Sequence, residues 1–212
     1  MPDARLLRID RWIGETIQLQ EQVRQADPAP LLRAADAIAA GVRSGRPLLA
    51  FGNGGSAADA QHFVAELAGR FQGERPALAA VALTTNPSLL TAVANDYGYD
   101  RVFARQIEGL GGRGGVAVAI STSGRSPNVL EGLRAATTAG MTTVALTGGD
   151  GGEAGRLADV HLNVPGRITA HVQEVHITVL HLLCALVEEA LAAPPADGSA
   201  ATGRGSERRD HA

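Results

Sequence analysis

The first residues of this sequence that could do chemistry are His62 and Glu66, which stand four positions apart. On a helix, this spacing places both side chains on one face. They follow a glycine-rich turn, Gly-Asn-Gly-Gly-Ser at 52–56, which comes after the apolar run Pro47–Phe51. Glycines let the backbone approach a ligand closely, and free N–H groups at a helix start attract negative charge. We therefore expect an anion site beside an acid/base or metal-binding pair; a solvated helical pair is the plainer interpretation.

A second candidate is the run of hydroxyl side chains at 121–126, which reads Ser-Thr-Ser-Gly-Arg-Ser. It follows the strand-like run Val116–Ile120, and a helix is predicted to begin near Pro127. Uncharged donors beside a helix N-terminus are suited to a phosphate ester. The competing interpretation is an ordinary Ser/Thr helix cap, which four hydroxyls within six residues make less attractive.

A third group of polar residues interrupts the last long apolar segment. Gln173 and His181 are eight residues apart, which on a helix places them two turns apart and about 80° around the axis. His181 stands among leucines, so it needs a polar partner. His176 falls on the far flank of Gln173, and we expect it to be structural or solvated.

Two smaller features complete the candidates. Arg70 stands one turn beyond Glu66 and could neutralise a phosphate or a carboxylate, but a surface salt bridge explains it equally well. Asn95 and Asp96 follow the apolar stretch Leu89–Val93, where such a pair is usually just a turn.

These residues need a scaffold, and the alternation of strand-like and helical segments predicts one. Short apolar runs followed by longer periodic segments indicate a parallel sheet covered on both faces. In such sheets, ligands bind at the carboxyl ends of the strands, where both loops lie. The predicted strands are Leu48–Phe51, Ala79–Leu83, Val116–Ile120, Thr143–Leu146 and His161–Val164, and the predicted helices are Ala57–Phe71, Pro87–Ala94, Val129–Ala139 and Thr169–Leu191.

Two further helices are predicted before the sheet. Leu31–Arg43 is rich in alanine, and Leu6–Arg24 is amphipathic, with mostly polar residues opposite its apolar stripe apart from Leu19. The stripe consists of Leu6, Ile9, Ile13 and Ile17.

Composition limits the class of protein. The net charge is −3 and the ordered part has no basic block, so no nucleic-acid footprint is expected. No segment approaches about 18 uninterrupted apolar residues, and the N-terminus lacks an apolar signal core, so we expect a soluble, cytoplasmic protein that does not bind a membrane. Cys184 lies in an apolar helical run and is expected to be a buried structural thiol.

The length of 212 residues suits one α/β domain, which we place at 1–191. From residue 192 the chain is rich in Ala, Gly, Pro and polar residues. Residues 192–212 are therefore expected to form a disordered tail.

Taken together, these segments resemble the sedoheptulose 7-phosphate isomerases, which belong to the sugar isomerase (SIS) domain superfamily. The resemblance covers roughly Leu6 to Leu191, with the motifs in order and at compatible spacing. The motifs are the turn at 52–56 with His62 and Glu66, the pair Asn95-Asp96, the run Ser121–Gly124, and Gln173-Glu174 with His181.

The resemblance implies a three-layer α/β/α fold with a five-stranded parallel sheet, assembled as a homotetramer with active sites between subunits. The implied reaction interconverts D-sedoheptulose 7-phosphate and D-glycero-D-manno-heptose 7-phosphate through an enediol. Glu66 is the expected base and His181 the expected acid. One zinc ion per subunit is implied, held by His62, Glu66, Gln173 and His181.

The resemblance also implies the contacts to the phosphorylated heptose. The hydroxyl run binds the phosphate, and the glycine-rich turn and the Asn-Asp pair contact the sugar. The expected contacts are Ser121, Thr122, Ser123 and Ser126 for the phosphate, Asn53, Gly54, Gly55, Asn95 and Asp96 for the sugar, and Ser56, Glu66, Arg70 and Gln173 as further members of the site.

The chain departs from the family pattern at two places. His171 stands where relatives often carry arginine, and Arg125 stands where asparagine is usual, so Arg125 either tunes phosphate affinity or points outward. The main alternative function is a non-catalytic SIS-domain adaptor of the replication-initiator-associating type. Those adaptors lack the full catalytic set, whereas this chain keeps Glu66 and His181. A sugar-phosphate-sensing regulator is less favoured, since nothing before Leu31 looks like a helix-turn-helix.

Overall fold

Five apolar runs pair into one sheet in the computed structural model, which describes residues 3–192. The strands follow the order β2-β1-β3-β4-β5, and all neighbours are parallel. The predicted five-stranded parallel sheet is confirmed. The strands are β1 (Leu48–Gly52), β2 (Ala80–Ala82), β3 (Val116–Ser121), β4 (Thr142–Gly148) and β5 (Val160–Val164).

Both faces of the sheet are covered, which explains why its central strands are continuously apolar. In β1, Leu48 and Ala50 face one hydrophobic core, whereas Leu49 and Phe51 face the other. Alternate residues of a strand point to opposite faces, so one strand contributes to two cores. The result is the expected three-layer sandwich.

In the described part of the chain, four helices cover each face of the sheet. One layer contains the first three helices and the last one, and the other layer contains the four between them. The first layer is α1 (Ala4–Gln25), α2 (Ala29–Arg43), α3 (Gly55–Ala68) and α8 (Thr169–Ala192); the second is α4 (Pro87–Tyr97), α5 (Ala104–Leu110), α6 (Pro127–Thr138) and α7 (Gly152–Leu157).

The predicted helices all form, with ends shifted by a few residues. Two short helices, α5 and α7, were not predicted, and Asn95 and Asp96 belong to the last turn of α4 instead of following it. Ala192 is the last residue of α8 and does not begin the tail. The predicted disordered tail otherwise falls on residues 193–212, outside the described part of the chain.

Helix α1 places its apolar stripe on the outside of the single chain. The four stripe residues are between 54 and 63% exposed. The only buried residue of α1 is Leu19, which the sequence pattern assigned to the polar side. The helix is amphipathic as predicted, but the stripe does not face the core of its own chain.

Helix α8 is long and apolar enough to cross a membrane by length and composition alone. Core helices pass the same test. In this fold α8 packs against α2, α1 and α3, and nine of its residues are buried. Its apolar character is therefore explained by packing within the chain.

Candidate active site

The turn after β1 and the loop after β3 lie side by side at the carboxyl edge of the sheet. Gly52 of β1 pairs with Ile120 of β3. From β1 the chain continues to β2 on one side, and from β3 it continues to β4 on the other, so the strand order reverses between them. Parallel sheets bind ligands at this switch point. The turn at 52–56 and the hydroxyl run at 121–126 therefore lie on either side of the crevice expected to hold the ligand.

The glycine-rich turn leaves the start of α3 free of a side-chain cap. Gly54 has a φ of 57°, a conformation that residues with a side chain rarely adopt. No side chain caps α3, and its first backbone hydrogen bond runs from the N–H of Ser56 to the carbonyl of Asn53 at 3.0 Å. The N–H groups at this helix start therefore suit an oxygen-rich ligand.

Asn53 uses its side chain to fix the turn. Its Nδ2 donates to Oδ1 of Asn128 at 2.8 Å, and Nδ2 of Asn128 donates back to Oδ1 of Asn53 at 2.8 Å. The hydroxyl of Tyr99 donates to the same Asn53 oxygen at 3.3 Å. Asn128 is buried in the first turn of α6, so the pair ties the turn after β1 to the helix after β3. The sequence analysis missed Asn128 and Tyr99; an asparagine just after Pro127 was the only local signal.

His62, Glu66 and His181 form one cluster between α3 and α8. Nε2 of His62 lies 3.1 Å from Oε1 of Glu66 and 3.4 Å from Nε2 of His181. One possible ligand atom from each of the three residues lies within 4.8 Å of the others. The cluster joins side chains 119 positions apart, and it supplies the polar partner that His181 was expected to need.

The chemistry of this cluster fits a zinc ion, because imidazole nitrogens and carboxylate oxygens are its usual ligands besides thiolates. Asp59, one turn before His62, adds a further carboxyl group that the sequence analysis did not single out. Its Oδ2 is buried and has no hydrogen-bond partner among the described residues. Burial raises the pKa of Asp59 to about 6, and the neighbouring His62 acts in the opposite direction. A nearby cation would favour the ionised form of this carboxyl.

Gln173, the fourth expected zinc ligand, lies against the glycine-rich turn. A Cβ atom added at Gly55 would lie only 2.8 Å from Cδ of Gln173. Gln173 thus lies at the start of α3. The other three expected ligands meet near the opposite end of α3, where His181 of α8 approaches His62 and Glu66.

The hydroxyl side chains after β3 organise their own loop. Oγ of Ser121 accepts a hydrogen bond from the N–H of Gly124 at 3.2 Å and lies 3.5 Å from Oγ of Ser126. Oγ of Ser123 accepts from the N–H of Arg125 at 3.2 Å. Ser126 occupies the cap position of α6 but makes no side-chain cap hydrogen bond, so the ordinary-cap interpretation is wrong for this residue.

Several expected contacts lie at the surface of the single chain. Arg70 forms an exposed ion pair with Glu74 at 3.4 Å, which is the surface salt bridge considered above. Nδ2 of Asn95 donates to Oδ1 of Asp96 at 2.8 Å, and both residues are exposed. These three side chains are not part of the His-Glu-His cluster.

Arg125 also lies at the surface. Its Nη2 is 2.6 Å from Oδ2 of Asp150, and both side chains are exposed. The hydrogen bond to Arg125 lowers the pKa of Asp150, with help from the N–H of Gly152. The exposed pair with Asp150 favours the outward-pointing alternative for Arg125.

His171, the second departure from the family pattern, anchors α1 to α8. The residue is buried, and its ring centroid lies 4.3 Å from that of Trp12. Nδ1 is 2.8 Å from Oγ1 of Thr16, and Nε2 is 3.2 Å from Oε2 of Glu15. His171 thus serves the contact between two helices.

Two other residues of α8 are buried: His176, which was expected to be structural or solvated, and Cys184, which was expected to be a buried thiol. His176 is fully buried, and its Nε2 donates to the carbonyl of Thr147 at 3.0 Å. Burial lowers the pKa of His176 to about 4. Cys184 is a buried free thiol, and burial raises its pKa to about 12, with smaller contributions from Glu66 and Glu188.

Comparison with known proteins identifies the family to which the chain belongs. A family model described as SIS domain matches residues 11–148. The chain is 50% identical over 185 residues to a phosphoheptose isomerase of Geobacter sulfurreducens, covering 87% of this chain and 95% of that protein. It is 49% identical over 180 residues to a phosphoheptose isomerase of Aromatoleum aromaticum, covering 84% and 91%. The structure of a phosphoheptose isomerase from Neisseria gonorrhoeae superposes with a TM-score of 0.83 at 43% identity, covering 88% of this chain and all of that one.

The chain belongs to the SIS domain family. Within that family it groups with the phosphoheptose isomerases, so it is an enzyme of the isomerase class.

Proposed function

We propose that this enzyme interconverts D-sedoheptulose 7-phosphate and D-glycero-D-manno-heptose 7-phosphate. The observation that carries the proposal is the His62–Glu66–His181 cluster, which lies between α8 and α3, the helix that leaves the switch point of the sheet. Relatives at about half identity are phosphoheptose isomerases, which supports the substrate class.

The reaction moves a proton between adjacent carbons through an enediol, so it needs a base and an acid. Glu66 takes the proton from carbon, and His62 at 3.1 Å holds one of its carboxylate oxygens. His181 gives a proton to the carbonyl oxygen. Each of these proton transfers is worth ~10²–10⁴-fold in rate.

A zinc ion would be held by His62, Glu66 and His181, with Gln173 as the fourth ligand implied by the family resemblance. When bound, zinc supplies Lewis-acid stabilisation of the negative charge that develops on the substrate oxygens. A histidine nitrogen that ligates a metal has no proton to give. With zinc bound, Nε2 of His181 would therefore serve either as a ligand or as the proton donor, not as both at once.

The substrate is held by both loops at the switch point. The hydroxyl side chains at 121–126 bind the phosphate. The turn at 53–55 contacts the sugar through its backbone, because the side chain of Asn53 is already hydrogen-bonded to Asn128. Ser56, Arg70, Asn95 and Asp96 complete the proposed contacts.

We propose a homotetramer with active sites between subunits, acting in the cytoplasm. The exposed apolar stripe of α1 supports assembly, because single chains rarely leave so contiguous an apolar surface in water. Exposed positions of Arg70, Asn95 and Asp96 are consistent with a site completed by a neighbouring subunit.

The direct test is an isomerase assay on the purified protein with sedoheptulose 7-phosphate, with and without a metal chelator. We expect formation of the aldose, loss of activity with chelator, and recovery on adding zinc. Activity that a chelator leaves unchanged, in protein that contains no zinc, would reject the metal assignment. An inactive protein that binds a replication initiator would instead establish the adaptor function.

A further inference from the structure

Glu188, on the last turns of α8, binds a loop that the proposed mechanism does not use. Its two carboxylate oxygens accept hydrogen bonds from three consecutive backbone N–H groups, those of Phe71, Gln72 and Gly73, each at 3.1 Å. Nε of Arg75 donates to the same carboxylate at 2.9 Å. Burial alone would raise the pKa of Glu188, but these N–H donors and Arg75 hold it below its ordinary value. Glu188 is thus an ionised anchor for the segment that follows α3.

Arg75 completes the anchor by closing the end of α3. Its Nη2 donates to the carbonyl of Glu66 at 2.7 Å, and its Nη1 donates to the carbonyl of Leu67 at 2.8 Å. The last carbonyls of a helix have no partner within the helix, and a cation there also complements the helix dipole. The Arg75 and Glu188 side chains are only 11% and 13% exposed. An ion pair so little exposed gains little net stability, because the cost of removing both charges from water offsets their attraction.

The pair reaches both helices of the candidate active site. Glu66 lies in the last turn of α3, which Arg75 holds through its carbonyl. Phe71, whose N–H is bound to Glu188, stacks on the ring of His181, with centroids 5.6 Å apart and planes 26° apart. His181 lies seven residues before Glu188 on α8. The same ion pair therefore touches the backbone of the proposed base and, through Phe71, the ring of the proposed acid.

We infer that Arg75 and Glu188 are positioning residues that set the relative geometry of Glu66 and His181. The inference rests on the proposed function for its effect on catalysis, but the geometry it describes exists without substrate. Small displacements matter here, because misplacing a catalytic group by about 1 Å can cost about 10²-fold in rate.

The test compares E188Q with E189Q, a matched control that makes the same chemical change one residue along α8, at an exposed position. R75K serves as the second variant, since lysine keeps the charge but lacks the planar fork that binds Glu188 and the two carbonyls together. All assays are run on the full chain, well below the unfolding temperature of each variant.

For E188Q and R75K we expect kcat to fall about 10- to 100-fold, and zinc affinity, measured by competition with a chromophoric chelator, to fall by a similar factor. KM should stay close to that of the wild type, because the two loops at the switch point are untouched. In protein labelled with ¹³C-histidine, the His181 ring resonance, assigned by its loss in H181N, should shift in E188Q and R75K. E189Q should match the wild type in every measurement.

A folded E188Q with wild-type kcat, zinc affinity and His181 resonance would show that the pair is merely structural and overturn the inference, as would equal changes in E189Q. If the wild type proves inactive or binds no zinc, the proposed function fails. The inference about Arg75 and Glu188 is then tested by the His181 resonance alone, which should still shift in E188Q and R75K. If neither E188Q nor R75K folds, F71L keeps the ion pair but removes the ring from His181. It should lower kcat and shift the resonance, and no change in either would reject the inference.

Discussion

At the scale of single residues, Glu66 is the side chain on which the proposed chemistry depends most. Its carboxylate is partly buried, one oxygen is held by His62, and its backbone carbonyl is held by Arg75. A carboxylate with this support can meet a carbon-bound proton in a fixed orientation.

Replacing Glu66 by glutamine keeps the shape of the side chain but removes the base. We expect E66Q to lower kcat by at least ~10²-fold with little loss of folding stability. The control is E189Q, which changes an exposed carboxylate that has no role in the proposed site. Steady-state kinetics on sedoheptulose 7-phosphate decide the matter, and a wild-type rate in E66Q would remove Glu66 as the base.

Single residues also show where sequence analysis succeeds. The four-residue spacing of His62 and Glu66 is a local feature, so it predicted a shared helical face correctly. The buried amide pair of Asn53 and Asn128 and the stacking of Phe71 on His181 depend on contacts across the fold. Nothing in the neighbouring sequence of these residues encodes such partners.

At the scale of elements, the glycine-rich turn is a packing surface for Gln173. A methyl group at Gly55 would meet the end of the Gln173 side chain, which can move aside at little cost to folding. We expect G55A to change the free energy of unfolding by no more than about 1 kcal/mol. Activity should nevertheless fall about 10-fold or more, because Gln173 and the turn are displaced.

The matched control for this experiment is G109A, a helical glycine with open space around its Cβ position. Kinetics and denaturant unfolding are measured side by side on both variants. Equal activity of G55A and the wild type would show that the contact between the turn and Gln173 is not needed for turnover.

The contact between α8 and β4 makes stability depend on pH through His176. Its pKa is about 4 in the folded chain and 6.5 in the unfolded one, because burial disfavours the charged ring. Above pH 6.5 the ring is neutral in both states. As the pH falls from 6.5 to 4, only the unfolded chain takes up the proton, so stability falls, by about 3 kcal/mol at most.

This dependence is measured by denaturant unfolding between pH 7 and pH 4. H176Q can still donate to the carbonyl of Thr147 but has no ring to titrate, so its loss of stability over this range should be smaller. Parallel curves for H176Q and the wild type would show that His176 contributes no linkage.

Elements were predictable in proportion to their length and periodicity. The long segments of α1 and α8 and the apolar strands carry patterns that packing reinforces, and they were found within a few residues. Helices α5 and α7 have seven and six residues, too short for a pattern, and they form because Ile107 and Ala154 are buried against the sheet. For α1 the pattern predicted the helix but not which surface its apolar stripe faces. The same sequence pattern arises whether the stripe is covered by its own chain or by another chain.

At the scale of the whole molecule, the α1 stripe predicts an oligomer. We expect a mass of about four times the 21.8 kDa chain by light scattering or sedimentation. I13E places a charge in the stripe and should produce smaller species, whereas Q18E, at an exposed polar position of the same helix, should not. A wild-type protein that sediments as a single chain would contradict the proposed assembly.

The position of the switch point between two cores has a consequence for cooperativity. The turn after β1 leads into α3 on one side of the sheet, and the loop after β3 leads into α6 on the other. A local opening of either helical layer would therefore separate the two halves of the crevice. On heating or in denaturant, activity should therefore be lost when the less stable of the two helical layers opens, before the whole chain unfolds.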